Sequence, residues 1–294
     1  MDINRSHTTS SDAIIIGAGP AGLTAAYSIG KRGRKCLVLE KDTQVGGISR
    51  TEYYKGYYFD IGGHRFFTKH KRVEDCWQEV IGEDMLRRGR LSRIYYNKKF
   101  FYYPLRPLNA FSGLGFTNSL LLLGSYLYSR SFPVSPVVTF EDWVSNRFGR
   151  RLFETFFKTY TEKVWGIPCT ELHAEWAHQR IKDLSIRKLL KSALFSSNGQ
   201  PVDEKTLATL IEEFDYPKYG PGMMWQRMAA LVGGQGSQVF MNTIVRHIYQ
   251  SGNRIEAVAV EGDGGSKVIS GEHFLSSMPI RHLVQCLTPK PAVE

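Results

Sequence analysis

The sequence predicts an α/β fold built around a parallel sheet. Two short apolar runs, Ala13–Ile16 and KCLVLE at residues 35–40, have the composition of strands that are buried on both faces. Between them a glycine-rich turn leads into LTAAYSIGKRG, whose apolar residues fall on one helical face. A strand, a helix and a second strand in this order form the βαβ unit of a parallel sheet.

The glycine-rich turn has the pattern of a dinucleotide-binding loop. Gly17, Gly19 and Gly22 follow the first strand and open the helix. In this pattern the first glycine permits a tight turn, the second lets the backbone approach a pyrophosphate, and the third lets helix and strand pack closely. The helix N-terminus adds free amides and a positive dipole end. Glu40 lies eighteen residues after Gly22, where a carboxylate accepts hydrogen bonds from a ribose.

Composition limits the remaining function classes. The chain has 294 residues, of which 42% are hydrophobic and 22% charged, and its formal net charge is +10. This charge favours an anionic partner such as a nucleotide diphosphate, another anionic small-molecule substrate or an acidic membrane face. Nucleic acid is the weakest candidate, because the basic stretch RRGRLSRIYYNKKFFYYPLRP matches no nucleic-acid-binding motif. The four cysteines form no CxxC pair, so we expect neither a metal site nor a disulfide framework. The first ten residues lack the apolar core of a secretory signal, and we expect a cytoplasmic location.

A second glycine cluster specifies the dinucleotide. EKDTQVGGISRT, with Gly46 and Gly47, resembles the Gly-Gly motif of the flavoprotein superfamily that contains amine oxidases, protoporphyrinogen oxidases, phytoene desaturases and UDP-galactopyranose mutases. GYYFDIGGHRFFT resembles the segment that runs along the flavin ring in that superfamily. The resemblance implies FAD as the cofactor, with Gly62 and Gly63 close to the isoalloxazine and His64 over or beside it. It gives as cofactor-binding residues Gly17, Gly19, Pro20, Ala21, Gly22, Glu40, Lys41, Gly46, Gly47, Gly62, Gly63, His64 and Val245.

The segment from Phe156 to Arg187 is similar to one branch of that superfamily. FFKTYTEKVWGIPCTELHAEWAHQRIKDLSIR resembles the UDP-galactopyranose mutase pattern GYTxKxWG followed by arginines. The resemblance implies that Trp165 packs near a sugar or uracil and that Arg180 or Arg187 binds a diphosphate. These three residues and His64 are the candidate catalytic residues. We expect Arg180 and Arg187 to share one face of a helix-like stretch. The chain lacks the YFND-like segment of the sugar mutases, which leaves the substrate open.

The C-terminal third agrees with the broader superfamily. YPKYGPGMMWQRMA predicts a Gly-Pro turn and then a helix that ends at Gly233-Gly234. The sequence GGQG, which starts at Gly233, is therefore no second dinucleotide loop, because it follows a helix and not a strand. SQVFMNTIVRHI predicts strand structure, and RIEAVAVEGDGGSKVIS predicts two strands joined by the GDGG turn. In relatives the residue that matches Val245 offers its backbone to the adenine.

The most apolar window, LGFTNSLLLLGSYLY, is shorter than the ~20 residues that span a bilayer. We expect it to form a core helix, in preference to a helix that lies on a membrane surface.

The predicted architecture is a discontinuous Rossmann-like FAD domain with a largely helical insert. The FAD domain comprises residues 1–85 and 220–294, and the insert, residues 86–219, forms part of a substrate domain. We expect the active site in the cleft between them. The segment that closes over the flavin in the superfamily is not found in these 294 residues, so the chain resembles a C-terminally truncated member.

Three functions remain open at this stage. The first is oxidation of an organic substrate by hydride transfer to the flavin. The second is sugar ring contraction on reduced FAD, in the manner of UDP-galactopyranose mutase. The third is a non-catalytic, truncated flavoprotein.

Overall fold

A computed structural model describes residues 11–102, 107–181 and 213–291. The chain divides into two compact units. Unit 1 comprises Met1–Arg88 and Glu213–Glu294, and unit 2 comprises Gly89–Glu212.

Strands and helices alternate in the first part of the chain, and strands predominate in the last part. The strands are β1 Ala13–Ile16, β2 Cys36–Leu39, β3 Thr51–Tyr54, β4 Tyr57–Asp60, β5 Met85–Gly89, β6 Arg93–Tyr96, β7 Lys99–Tyr102, β8 Glu213–Pro217, β9 Gln238–Phe240, β10 Ile244–Ser251, β11 Arg254–Gly262, β12 Gly265–Ser270, β13 Phe274–Ser276 and β14 Leu287–Thr288. The helices are α1 Pro20–Gly30, α2 Lys71–Ile81, α3 Pro107–Leu114, α4 Phe116–Ser131, α5 Phe140–Phe148, α6 Arg150–Leu152, a π-helical turn Phe153–Lys158, α7 Thr159–Trp165, α8 Ala174–Arg180, α9 Gly222–Gly234 and α10 Ile280–Cys286, with 3₁₀ turns at Gly47–Ser49 and Gly82–Asp84.

Unit 1 is built on a parallel four-stranded sheet of order β13-β1-β2-β9. Every residue of β1 and β2 is buried, because their side chains feed two apolar clusters on opposite faces. On one face Ile15 and Val38 pack with residues of α1 and α9. On the other face Ile14 and Leu37 pack with residues of a second sheet. The predicted α/β fold is therefore confirmed.

The second sheet of unit 1 has the order β12-β11-β10-β14. β10, β11 and β12 are antiparallel, and β14 pairs with β10 in parallel. Gly262 and Gly265 pair across the β11–β12 turn, as GDGG predicts. The helix α9 ends at Gly234, which confirms that GGQG follows a helix and not a strand.

Unit 2 combines the β6–β7 hairpin with helices. Its apolar core is formed mainly by α5, α8 and the π-helical turn, with Phe140, Val144 and Phe153 at its centre. A capping box starts α5: the Thr139 hydroxyl accepts a hydrogen bond from the Asp142 amide, and the Asp142 carboxylate accepts one from the Thr139 amide.

The expectation of a core helix at LGFTNSLLLLGSYLY is wrong. The helix forms as α4, but among its residues only Ser129 is buried, while Leu120, Leu123 and Leu127 are 51%, 49% and 56% exposed. Four consecutive leucines extend around the whole circumference of a helix, so only some of them can face a core. The side of α4 at Ser125 and Tyr126 packs close to Gly149, where a Cβ atom would lie 2.8 Å from the Tyr126 amide nitrogen.

Candidate functional site

The first glycine loop is shaped by close contacts that only glycine permits. Gly17 has φ +99°, and a Cβ atom there would lie 2.4 Å from Oγ of Ser277. A Cβ atom at Gly22 would lie 1.9 Å from the carbonyl oxygen of Gly17. The first glycine therefore makes room for the chain that follows β13, and the third lets α1 pack onto the end of β1. Ser277 was not predicted, because it lies 260 residues from Gly17 and is held there by its hydroxyl, which donates to the Ile16 carbonyl at 3.0 Å.

The N-terminus of α1 carries no side-chain cap. Gly19 is the N-cap residue and Pro20 occupies the first turn. Helix geometry leaves the amides of Ala21 and Gly22 without intrahelical acceptors. No acidic side chain lies in this first turn, so its amides and dipole suit an anion such as a diphosphate.

The second glycine cluster lies directly against the first. The Gly46 amide donates to the Ala18 carbonyl at 2.9 Å. Gly47 has φ +53°, and a Cβ atom on it would lie 3.4 Å from Cα of Gly19. The two clusters thus form one backbone surface on which any side chain would occupy the space beside the α1 N-terminus. A surface of this shape, with free amides beside it, fits the diphosphate of a dinucleotide, and that role of the glycines stays a prediction.

Glu40 links the loop to the second strand. One of its carboxylate oxygens accepts a hydrogen bond from the Ala18 amide at 2.6 Å, and the other accepts one from the Asp42 amide at 3.0 Å. The residue is only 5% exposed. Glu40 therefore stabilises the glycine loop itself, a role that the spacing argument did not predict. Each carboxylate oxygen can accept a further hydrogen bond, such as one from a ribose hydroxyl.

The chain between β9 and β10 runs alongside Glu40. The Glu40 amide donates to the Phe240 carbonyl at 2.8 Å, and the Thr243 amide donates to the Glu40 carbonyl at 2.7 Å. Val245 lies two residues further on, with its side chain buried in the cluster between the two sheets. The structure thus brings the chain that leads to Val245 to the end of β2, and the contact of its backbone with adenine stays a prediction. The predicted Lys41 side chain, in the same region, is exposed.

Arg50 braces the second glycine cluster from its C-terminal side. Its guanidinium contacts Asp42 at 3.4 Å and Glu52 at 2.6 Å. The hydrogen bond from Arg50 lowers the pKa of the Glu52 carboxyl below its usual value. The sequence signal for this contact is a cation three residues after the Gly-Gly pair, with an acidic residue on either side of it in the sequence.

The predicted flavin-ring segment begins with strand β4. Its Asp60 accepts a hydrogen bond from the hydroxyl of Tyr216. Burial, and next the hydrogen bond to Asp60, raise the pKa of Tyr216 above its ordinary value. Gly62 and Gly63 are exposed and His64 is half-buried, and a Cβ atom at Gly62 would lie 3.4 Å from Nε2 of His64.

The turn before α9 packs onto the start of β3. The Gly222 amide donates to Oγ1 of Thr51 at 2.9 Å. Gly220 has φ +87°, and a Cβ atom there would lie 2.4 Å from the same hydroxyl oxygen. The Gly-Pro turn thus anchors the strand that follows the second glycine cluster. Sequence reasoning found the turn but not its contact with Thr51, because 171 residues separate the two.

The other candidate catalytic residues belong to unit 2. Trp165 ends α7, is 43% exposed, and meets Trp176 edge-on with ring centroids 4.7 Å apart. Arg180 is the last residue of α8, and Ile181 caps that helix with φ −110°. Arg187 lies outside the described residues. The expectation that Arg180 and Arg187 share one helical face therefore stays a prediction.

Comparisons with known proteins agree with this geometry. Residues 15–80 match the family model of an NAD(P)-binding Rossmann-like domain. An L-amino-acid oxidase of Crotalus adamanteus is 44% identical over 93 residues, which are 32% of this chain and 17% of the oxidase. An inactive all-trans-retinol 13,14-reductase of Danio rerio is 51% identical over 51 residues, which are 17% of this chain and 8% of that protein.

Solved structures share the fold over nearly the whole chain. Reduced UDP-galactopyranose mutase matches with a TM-score of 0.74 and 20% identity, over 95% of this chain and 57% of that chain. Putrescine oxidase bound to putrescine matches with a TM-score of 0.57 and 19% identity, over 96% of this chain and 61% of that chain. The chain thus spans about three fifths of these structures and less than a fifth of the two curated relatives. The motifs, the Rossmann-like match and the shared fold agree: the chain resembles the superfamily of FAD-dependent flavoproteins that contains the amine oxidases, the protoporphyrinogen oxidases and the UDP-galactopyranose mutases.

Proposed function

We propose that the chain is the FAD-binding part of a flavoprotein oxidoreductase that oxidises a small organic substrate. The observation that carries this proposal is the contact between the two glycine clusters, where Gly46 bonds to Ala18 and Gly47 faces Gly19. A single dinucleotide loop does not need the second cluster, whereas the superfamily's cofactor does. The net charge of +10 favours an anionic substrate.

Different residues of unit 1 bind different parts of the cofactor. The amides of Ala21 and Gly22 bind the diphosphate at the start of α1. Glu40 binds the adenosine ribose, and the backbone at Val245 binds the adenine. The segment from Gly62 to His64 lies along the flavin ring. When bound, FAD supplies a two-electron acceptor for hydride from a substrate C–H or N–H bond, and the protein orients the reacting atom and excludes water.

A second candidate function is sugar ring contraction, and one observation favours it. The fold match to UDP-galactopyranose mutase has a higher TM-score than the match to putrescine oxidase, 0.74 against 0.57. In this alternative Trp165 packs against the nucleotide sugar, and Arg180 and Arg187 bind its diphosphate through two-pronged contacts that lysine cannot make. The reaction requires reduced FAD and has no net electron consumption.

One pair of assays separates the two reactions. The FAD-loaded protein is given a panel of primary amines and amino acids in air, and hydrogen peroxide is measured. It is then reduced without oxygen and given UDP-galactopyranose, and ring contraction is followed by chromatography. Peroxide formation supports the oxidoreductase, and contraction without electron consumption supports the mutase.

The arginine variants give the mutase alternative its own test. Arg180→Lys with Arg187→Lys is expected to weaken UDP binding while FAD occupancy stays unchanged. If the unsubstituted chain and the double variant bind UDP equally, or neither binds it, the mutase alternative is excluded. A chain that binds FAD but performs neither reaction is the non-catalytic flavoprotein.

A further inference from the structure

Unit 2 contains a small pocket where three parts of the chain meet. These parts are the β6–β7 hairpin, the corner between α3 and α4, and the segment that runs from α6 into the π-helical turn. The volume of the pocket is about 220 Å³, which is below the roughly 300–1,000 Å³ of pockets for drug-sized ligands. None of the predicted cofactor-binding or candidate catalytic residues lines it. The lining includes Tyr96, Lys99, Phe101, Asn118, Arg151 and Thr155.

Packed aromatic rings fix the shape of this pocket. Phe101 lines it and is only 1% exposed. The rings of Phe101 and Tyr96 both contact Phe156 of the π-helical turn, with ring centroids at 5.7 Å and 5.4 Å from that of Phe156. Gly113 brings α3 onto the ring of Phe101, since a Cβ atom at Gly113 would lie 2.3 Å from Cε1 of that ring. The pocket is therefore formed before a ligand enters, which lowers the ordering cost of binding.

Lys99 supplies the first cation of the pocket. It pairs across the hairpin with Tyr96, and its Nζ donates to the Gly113 carbonyl at 2.9 Å. This bond holds the ammonium group at the pocket wall. An ammonium group has three N–H donors, so two of them remain for a ligand. Asn118 is held in a similar way, because its Nδ2 donates to the Leu114 carbonyl at 3.1 Å, and its amide keeps one further N–H donor.

Arg151 supplies the second cation. Its backbone is held on both sides, since its amide donates to Oγ of Ser125 at 3.1 Å and its carbonyl accepts from the Thr155 hydroxyl at 2.8 Å. The nearby Glu154 pairs with Arg150 at 3.0 Å and not with Arg151. Within the described ranges the Arg151 guanidinium makes no ion pair and no hydrogen bond. Its five N–H donors are therefore available to a ligand.

The charges of the pocket favour a doubly charged oxyanion. Among the described residues that line it there are two cations and no Asp or Glu, so its formal charge is +2. A phosphate ester carries about −1.5 to −2 charges at pH 7 and has three strong acceptor oxygens. A carboxylate carries a single charge on its oxygens and would leave one cation without a partner. The planar fork of an arginine also matches a pair of phosphate oxygens.

We propose that this pocket binds the phosphate group of a small molecule between Lys99 and Arg151. The Arg151 guanidinium donates to a pair of phosphate oxygens, and Lys99 and Asn118 donate to the remaining oxygen. Inorganic phosphate and a small phosphate ester share this chemistry. The site does not rest on the proposed function, because its residues belong to unit 2 and the predicted cofactor-binding residues belong to unit 1.

Calorimetric titration of the full chain tests the proposal. Inorganic phosphate, glycerol phosphate and acetate are titrated separately at constant ionic strength, with FAD in excess so that the cofactor occupies the start of α1. We expect one phosphate group to bind per chain and acetate to bind much more weakly. Tighter binding of the ester assigns the site to an esterified phosphate, and equal or tighter binding of inorganic phosphate assigns it to the free ion.

Arg151→Gln removes the cation whose guanidinium has no partner among the described residues. We expect this variant to weaken phosphate binding roughly 10-fold to 100-fold, the factor for a lost charged hydrogen bond, and to unfold at the urea concentration of the unsubstituted chain. Arg130→Gln is the matched control, since it removes an exposed cation of α4 that does not line the pocket. The control is expected to keep both the phosphate affinity and the unfolding midpoint.

Asn118→Asp places a carboxylate of nearly the same shape in the pocket. We expect this variant to lose phosphate binding through like-charge repulsion and to keep native circular dichroism. Four results would overturn the proposal: no phosphate binding by the unsubstituted chain, equal phosphate affinities in Arg151→Gln and Arg130→Gln, acetate binding as tight as phosphate binding, or unchanged phosphate binding in Asn118→Asp.

Discussion

Glu40 shows how a residue can serve the fold and the cofactor at once. Its two oxygens accept hydrogen bonds from the Ala18 and Asp42 amides. A glutamine here keeps one acceptor oxygen but presents an NH₂ group to the other amide, so one buried donor loses its partner. We expect Glu40→Gln to lower the free energy of unfolding by about 1–3 kcal/mol, the cost of an unsatisfied buried group, in urea unfolding followed by circular dichroism.

The matched control for Glu40 is Glu256→Gln, which alters an exposed carboxylate on β11 of the same unit. This variant is expected to unfold at the urea concentration of the unsubstituted chain. The FAD affinity of Glu40→Gln is also expected to fall, because the ribose loses a charged acceptor. Equal unfolding free energies for the two variants would contradict the role of Glu40 in the loop.

Substitution of Gly47 distinguishes an effect on cofactor binding from an effect on backbone stability. Gly47→Ala places a methyl group 3.4 Å from Cα of Gly19, on the surface that the two glycine clusters share. Gly33→Ala is the control, since Gly33 has φ +72° and a methyl group there meets no atom within 4 Å. Both variants are expected to lose about 1 kcal/mol of stability because of the left-handed backbone.

Only Gly47→Ala is expected to lower FAD occupancy, measured by flavin absorbance after reconstitution. Full occupancy in this variant would mean that Gly46 and Gly47 form an ordinary loop.

At the scale of elements, α2 is fastened to α1 by one carboxylate. Glu79 of α2 accepts hydrogen bonds from the Tyr27 hydroxyl at 2.7 Å and from Lys31 at 2.9 Å, both on or next to α1. Burial, followed by the hydrogen bond to Glu79, raises the pKa of Tyr27 to about 12 from 10.0. Because the folded protein holds the proton more tightly than the unfolded chain does, this contribution to stability is complete below pH 10 and is lost as the pH rises to about 12.

Tyr27→Phe tests this attachment of the helices. We expect the variant to lose about 0.5–1.5 kcal/mol of unfolding free energy at neutral pH, the net value of one hydrogen bond, and to lose less stability than the unsubstituted chain between pH 10 and 12. Tyr249→Phe, at a half-buried tyrosine of β10, is the control and is expected to keep the alkaline pH dependence. The same dependence in Tyr27→Phe as in the unsubstituted chain would exclude Tyr27 as its source.

Elements with a strong local pattern were predictable, and contacts between distant segments were not. β1 appears at the predicted residues, and α1 follows the glycine loop as expected, because apolar runs and glycine spacing fix both locally. By contrast, the contacts of Gly17 with Ser277 and of Thr51 with Gly222 join residues far apart in the sequence, and no local pattern encodes such partners. The burial of α4 was predicted wrongly because its leucines were read as a core signal, although only part of any helix circumference can face a core.

At the scale of the whole molecule, the candidate cofactor-binding residues and most of the candidate catalytic residues belong to different units. All predicted cofactor-binding residues, from Gly17 to Val245, belong to unit 1, whereas Trp165, Arg180 and Arg187 belong to unit 2. FAD binding is therefore expected to depend on unit 1, and substitutions of the unit 2 candidates are expected to leave FAD occupancy unchanged. Loss of flavin absorbance in Trp165→Ala, with native circular dichroism, would contradict this separation.

The central claim is that the two glycine clusters and Glu40 together hold a flavin dinucleotide. The most direct test is titration of the flavin-free chain with FAD and, separately, with FMN, which lacks the adenosine and one phosphate. The account predicts that one FAD binds per chain. It also predicts that FMN binds roughly 10-fold to 100-fold more weakly, since the charged hydrogen bond to the ribose alone is worth about 1–3 kcal/mol. Equal affinity for FAD and FMN, or no FAD binding by a chain with native circular dichroism, would contradict it.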